Sequence, residues 1–203
     1  VALFLIPSIA TNLWQGFTGG NFLTLAKRLW PLHLGAVAGI WFGVQILATV
    51  EARWLTMLLG SLLITYTVLN LTRAEMPTPG RWERWLTPVM GAAGGVLFGT
   101  TGHFLVPGVL YIQSLGLSRD VFVQALGMTF TVISLTLVLA LARHSLMPPE
   151  TALVSALALV PTMAGVLVGQ RVRKRLSEQQ FRQVVFVAIG LAGVYMILRS
   201  LAG

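Results

Sequence analysis

An all-α polytopic membrane protein is the fold class this sequence predicts, and three observations predict it. The 203 residues are 56% hydrophobic and only 10% charged, with a mean hydropathy of +0.81, against about 25% charged residues in soluble domains. Apolar segments near spanning length follow one another with short loops. One 34-residue stretch, Trp85 to Ser118, holds no Asp, Glu, Lys or Arg and is too long for one span yet too short for two and a turn. A bilayer core takes about 20 apolar residues as one helix, roughly 17–25.

The ordinary segments run roughly over 1–25, 29–50, 54–72, 121–142, 151–170 and 179–198, each near spanning length. The one polar linker of any size lies before Trp85 and contains Pro77, Pro79 and Gly80. It divides the chain into a first membrane repeat at 1–72, a cytoplasmic linker at 73–84 and a second membrane repeat at 85–203. No signal peptide is visible. Val1 already lies inside an apolar run, so the natural chain is expected to begin earlier.

The stretch 85–118 is expected to be a broken or re-entrant element. Its middle holds Gly91, Gly94, Gly95, Gly99, Gly102 and Pro107, and non-helical backbone at membrane depth is tolerated only where protein buries it or it lines a cavity. The basic residues favour the same reading. If 85–118 crosses once, the 14 Lys and Arg residues divide evenly between the two sides. If it dips in and returns, Lys27, Arg28, Arg73, Arg81, Arg84, Arg119 and the basic residues from Arg171 to Arg182 share one side, leaving only Arg53, Arg143 and Arg199 opposite. Membrane proteins are biased in this way, so six spans and one hairpin are expected, with both ends outside.

The halves resemble each other weakly. GVQILATVEARWL (43–55) aligns with GVLVGQRVRKRLS (165–177), and the same shift pairs Asn12 with Ser134. In the hairpin arrangement the repeats are inverted, a common transporter plan.

Several function classes are excluded early. The chain has no cysteine, which removes disulfides, thiolate metal sites and cysteine nucleophiles. The net charge of +8 comes from residues at the ends of apolar runs, so it reads as membrane anchoring and not as nucleic-acid binding. Every acidic residue falls in a loop or at a span end. That argues against a carboxylate proton relay, a carboxylate cation site or a two-carboxylate enzyme. No enzyme activity, cofactor or metal is expected.

Three constellations could bind a ligand. The first is Gly99-Thr100-Thr101-Gly102-His103 with Pro107. Glycines permit tight turns and close approach, a half-helix N-terminus offers free N–H groups to a small anion, and the threonines add hydroxyls. His103 is the only ionisable residue between Arg84 and Arg119. It could donate to an anion or relay a proton, or simply bond backbone in a kink. For Gly91, Gly94 and Gly95, close helix packing is the expected role. The second constellation is PSIATNLWQGFTGGN (7–21), where Asn12, Gln15 and Thr18 lie near one helix face. The third is its second-half counterpart, Gln124, Thr129, Thr131 and Ser134. His33 and His144 are expected at interfaces. The run from Arg171 to Arg175 is expected to contact anionic lipid headgroups. Gly35, Gly39 and Gly43 could pack within the protomer or between two protomers of a homodimer.

The pattern GxxGGxxxGxxGxFxVPxxxYxxxLGL from Gly91 to Leu117 resembles the second-repeat signature of the TauE/SafE sulfite-exporter family. QALGMTFTVISL and the C-terminal GVLVGQRVRKRLSEQQFRQVVFVAIGLAGVYMIL are similar to the spans that follow it there, and PSIATNLWQ resembles the first-half span after that family's first glycine-rich motif. The first motif itself does not occur in this sequence. The resemblance implies export of a small anion, such as sulfite or an organosulfur anion, across the bacterial inner membrane. The expected binding residues are Asn12, Gln15, Gly99, Thr100, Thr101, Gly102, His103, Pro107, Thr129 and Ser134. An anion channel and a non-transporting membrane scaffold are the alternatives.

Overall fold

The computed structural model describes residues 5–72, 77–144 and 178–202. Its elements are α1 (Leu5–Thr18), α2 (Phe22–Thr49), α3 (Ala52–Leu71), a 3-10 turn (Gly80–Trp82) and α4 (Glu83–Thr101). A single π turn (Leu105–Val109) then continues into the short α5 (Leu110–Ser114), followed by α6 (Arg119–Arg143) and α7 (Glu178–Ala202). Four of these helices, α2, α3, α6 and α7, are long and apolar enough to cross a membrane. The expected span 151–170 and the basic run at 171–175 lie outside the described residues.

The first two segments are divided differently from the sequence expectation. That expectation ends one span at 25 and starts the next at 29, with Lys27 and Arg28 between them. In the structure the break comes earlier, at Gly19-Gly20-Asn21, and both basic residues lie inside α2. Gly20 adopts a φ of +73°, a conformation open to glycine at little cost. Long basic side chains can run along a helix toward water, so they do not force a loop.

Helices α2 and α4 run parallel and are packed backbone to backbone. Gly35, Gly39 and Gly43 of α2 sit opposite Pro88, Ala92 and Val96 of α4, while Gly91, Gly95 and Gly99 of α4 sit opposite Leu32, Ala36 and Ile40 of α2. At each of these six positions a Cβ would collide with a main-chain carbonyl oxygen of the other helix. The stripe Gly35-Gly39-Gly43 is therefore used within the protomer. Around the seam lies the core, with Leu25, Leu29, Leu32, Ile40, Phe104, Ile112 and Ile133 almost fully buried.

The segment after α4 returns to the end from which it started. Arg28 near the start of α2 donates from Nε and Nη2 to the two carboxylate oxygens of Glu83, at 2.6 and 2.9 Å. Its Nη2 also lies 3.4 Å from the carbonyl oxygen of Leu115. Thr87 gives its hydroxyl hydrogen to the Glu83 carbonyl, so Tyr111 donates to Thr87 at 2.5 Å. Residues 83 and 115 thus meet at one guanidinium. Helix α4 spans about 28 Å at 1.5 Å per residue, so the hairpin reaches almost through a bilayer core before turning back.

The remaining helices frame this unit. Helix α1 packs along α6, with Gly16 against Gly127 and Met128 and Gly19 against Gln124. Helices α3 and α7 form an antiparallel pair, fixed by Gly60 on Gly193, Thr67 on Phe186 and Ser200 on Arg53. The pairing brings Arg53 and Arg199 to one end. Arg28, Glu83 and Leu115 mark the other, the side on which the charge distribution gathers most basic residues.

Candidate functional site

The turn expected to bind a ligand is the tip of the hairpin. Gly102 takes a left-handed conformation, φ +77° and ψ +9°, and its N–H caps the Phe98 carbonyl at 2.8 Å. Residues 99–102 are therefore the C-terminal end of α4, where the expectation placed a half-helix N-terminus. The N-terminus that does face this region belongs to the return leg, which begins at Leu105, is irregular at Val106 (φ −116°, ψ +126°) and carries Pro107 after a cis bond.

The two threonines are buried and turned inward. Thr100 donates to the Val96 and Leu97 carbonyl region at 3.0 Å each, and Thr101 donates to Leu97 O at 2.6 Å. Such back-bonding is what hydroxyls in membrane helices commonly do. Thr101 Oγ1 in turn accepts from the His103 N–H at 3.3 Å. His103 is half-buried, with Nδ1 3.3 Å from the Thr101 carbonyl, the backbone bond in a kink that the sequence left open. Gly99 belongs to the α2–α4 seam, 2.6 Å from Ile40 O at the position of an added Cβ.

A second polar group gathers around the first half of α6. Thr129 is fully buried, and its Oγ1 lies 3.1 Å from Nε2 of His33. The sequence reading placed His33 at an interface, because it began the second span at residue 29. With α2 starting at Phe22, His33 falls well inside the helix. Gln124, 1% exposed, uses both ends of its amide on the α1–α2 break: Nε2 donates to Gly16 O and Oε1 accepts from the Asn21 N–H, each at 3.0 Å. Asn12 and Gln15 are brought to the same stretch of α6, since the backbone of 12–16 presses on Gly127. Ser134 is buried further along α6, apart from this group. A hydropathy profile that marked the Gly19-Gly20 break as the span end would have put His33 at depth.

A cluster of rings packs under the hairpin tip. Phe104, 1% exposed, lies edge-on to Phe98 and Phe130 with centroids 6.2 Å away in each case. Gly94 on α4 and Gly108 on the return leg leave the room its ring fills. Along α2, His33 and the Gly43 that packs on Gly99 are ten residues apart, about 15 Å at 1.5 Å per residue. The expected site residues therefore do not converge: 99–103 form the hairpin tip, Thr129 meets His33 of α2, and Asn12 and Gln15 lie along the Gly127 side of α6, with Gln15 exposed. Among the described residues no three His, Asp or Glu side chains converge as a metal site would require.

A protein-family model for the sulfite exporter TauE/SafE matches residues 1–196. No curated protein and no solved structure matches.

Proposed function

The chain belongs to the TauE/SafE sulfite exporter family, and on that premise we propose that it is a secondary transporter exporting a small anion, sulfite or an organosulfur or carboxylate anion, across the bacterial inner membrane. The observation that carries the reading is the hairpin whose two ends meet at Arg28 and whose tip breaks at Gly102. Broken helices at membrane depth are how many transporters present backbone groups to substrate.

In this reading the Arg28 end faces the cytoplasm, as the excess of Lys and Arg there favours, and its basic residues raise the local anion concentration. The anion first meets His33 and Thr129, whose side chains meet between α2 and α6, while Asn12 and Gln15 stand on the α1 side of α6. Phe104 is the barrier. Beyond it lie His103 and the first-turn N–H groups of the return leg, which suit a negative charge. Thr100 and Thr101 contribute by holding the turn, since their hydroxyl hydrogens are engaged by α4 carbonyls. The driving force is the membrane potential, about 2.3 kcal/mol per charge per 100 mV, or a coupled proton, and the pH dependence of flux separates the two.

The test is sulfite flux in proteoliposomes, with sulfate and taurine as competitors. Saturable flux is expected. Gly102→Leu forces a branched side chain into a left-handed position and is expected to lower flux at least about tenfold while the protein still inserts. Normal flux in that variant would remove the turn from the site. Flux without saturation would make the protein a channel, and no flux a scaffold.

A further inference from the structure

A cleft of about 450 Å³ opens between the start of α3 and the end of α7, lined by Arg53, Thr56, Tyr195, Met196, Arg199 and Ser200. It lies at the end opposite Arg28, where the charge distribution leaves three basic residues, Arg53, Arg143 and Arg199. Two of those three line this one cleft. Among the described residues the only ion pair is Arg28 with Glu83, so among them neither arginine has a carboxylate partner. Glu51, two residues before Arg53, is not part of the lining.

Two like charges brought to one concavity repel, and nothing in the lining relieves them. The helices are nevertheless held in place there: Ser200 Oγ donates to the Arg53 carbonyl at 2.9 Å, and Gly60 and Gly193 meet further along the same pair. Thr56 gives its hydroxyl hydrogen to Ala52 O at 2.7 Å. That leaves the guanidinium forks and the Tyr195 hydroxyl as donors. Guanidinium groups match tetrahedral oxyanions in shape as well as charge, because they offer paired N–H donors. Ala52 and Met196 supply an apolar wall beside them. Trp54 and Tyr195, 59% and 61% exposed, are aromatics of the kind that settle at headgroup depth. The volume falls within the range of small-molecule sites, about 300–1,000 Å³.

We propose that this cleft binds a tetrahedral oxyanion, of phosphate or sulfonate type, at the membrane boundary opposite the Arg28 end. The group comes either from a phospholipid headgroup or from a free anion in solution. The proposal stands apart from the exporter reading, because it concerns the outer helix pair and requires no flux.

The test uses the full chain purified in detergent, as wild type, Arg53→Gln/Arg199→Gln and Arg53→Lys/Arg199→Lys. Native mass spectrometry with added phosphatidylglycerol or diacylglycerol reads the lipid source, and calorimetric titration with inorganic phosphate reads the free anion. Size-exclusion profiles and helical circular dichroism check that the variants are folded. Retention of phosphatidylglycerol but not diacylglycerol, reduced about tenfold or more by the Gln pair and partly kept by the Lys pair, supports the site with a headgroup as ligand. Phosphate binding that depends on the arginines, without lipid retention, supports it with a free anion. Equal behaviour of wild type and the folded Gln variant toward both probes overturns the proposal. Should the Gln pair fail to fold, phosphatidylglycerol and diacylglycerol retained alike by the wild type, with no phosphate binding, overturns it too. Sulfite flux is scored separately on the wild type, so loss of either conclusion leaves the other intact.

Discussion

Two of this molecule's glycine seams, α2 on α4 and α3 on α7, are not equally tight. Between the parallel α2 and α4, six glycines alternate from side to side, and each faces a main-chain carbonyl of the other helix. Between the antiparallel α3 and α7, Gly60 and Gly193 face each other's carbonyls at 2.7 Å from an added Cβ, and Gly190 receives the Thr67 methyl at 3.0 Å. In lipid there is no hydrophobic force between helices, so association rests on close van der Waals packing and polar contacts. The tighter seam carries the element that most needs support. Helix α4 is one leg of a hairpin with a left-handed break and an irregular return, whereas α3 and α7 are unbroken helices with few buried residues. The difference teaches that backbone proximity is concentrated where the chain is least able to hold its own shape.

The sharpest way to break the comparison is to add the same side chain to each seam. Gly39→Val drives branched carbons into the Ala92 carbonyl, which cannot move without shifting α4. It is expected to exceed the 1–3 kcal/mol typical of overpacking and to abolish a monodisperse folded protein, read by size-exclusion profile and yield. Gly60→Val meets the Gly193 carbonyl oxygen at 2.7 Å and Cγ1 of Ile197 at 2.8 Å. About 1–3 kcal/mol is expected there, with folded protein retained and a lowered melting temperature. Equal damage from both would mean that the seams bear equal loads.

Phe104→Ala tests the interior of the tight unit. The ring fills the space left by Gly94 and Gly108 and touches Phe98 and Phe130. Removing a buried phenyl costs about 3–5 kcal/mol where the site cannot collapse, and two glycine backbones have no side chains with which to close the gap. Thermal melting is expected to drop, and anion leak through proteoliposomes to rise with loss of the proposed barrier. A stable variant with an unchanged leak would remove Phe104 from both roles.

Much of this was legible in the sequence because bilayer thickness fixes helix length and the charge pattern favours a chain that turns back. The basic residues favoured a hairpin at 85–118, and Glu83 and Leu115 do meet at Arg28. Gly91, Gly94 and Gly95 were expected to pack helices; Gly91 and Gly95 do so against α2, while Gly94 makes room for the Phe104 ring. Other features were hidden for physical reasons. Lys27 and Arg28 look like a loop in sequence, but inside α2 one of them is held by Glu83, so His33 was misplaced to an interface. The stripe Gly35-Gly39-Gly43 announces a close contact without naming its partner, because small residues fit any helix. The roles of Thr100 and Thr101 depend on which way each hydroxyl points, and a hydroxyl that can bond its own helix gives no sign of that in sequence.

The gentlest probe separates packing from hydrogen bonding in the looser seam. Thr67 Oγ1 donates to the Phe186 carbonyl at 3.2 Å, while its Cγ2 rests on Gly190. Thr67→Val keeps both the branched shape and that methyl contact and deletes only the donor. The Phe186 carbonyl lies within α7, so it keeps a helical N–H partner and is not left bare. Interhelical hydrogen bonds in membranes average about 0.6 kcal/mol, and the expected fall in melting temperature is no more than about 2 °C. A loss approaching that of Gly60→Val would reverse the assignment: α3 and α7 would then be joined by a polar bond, with their glycines serving only to let it form.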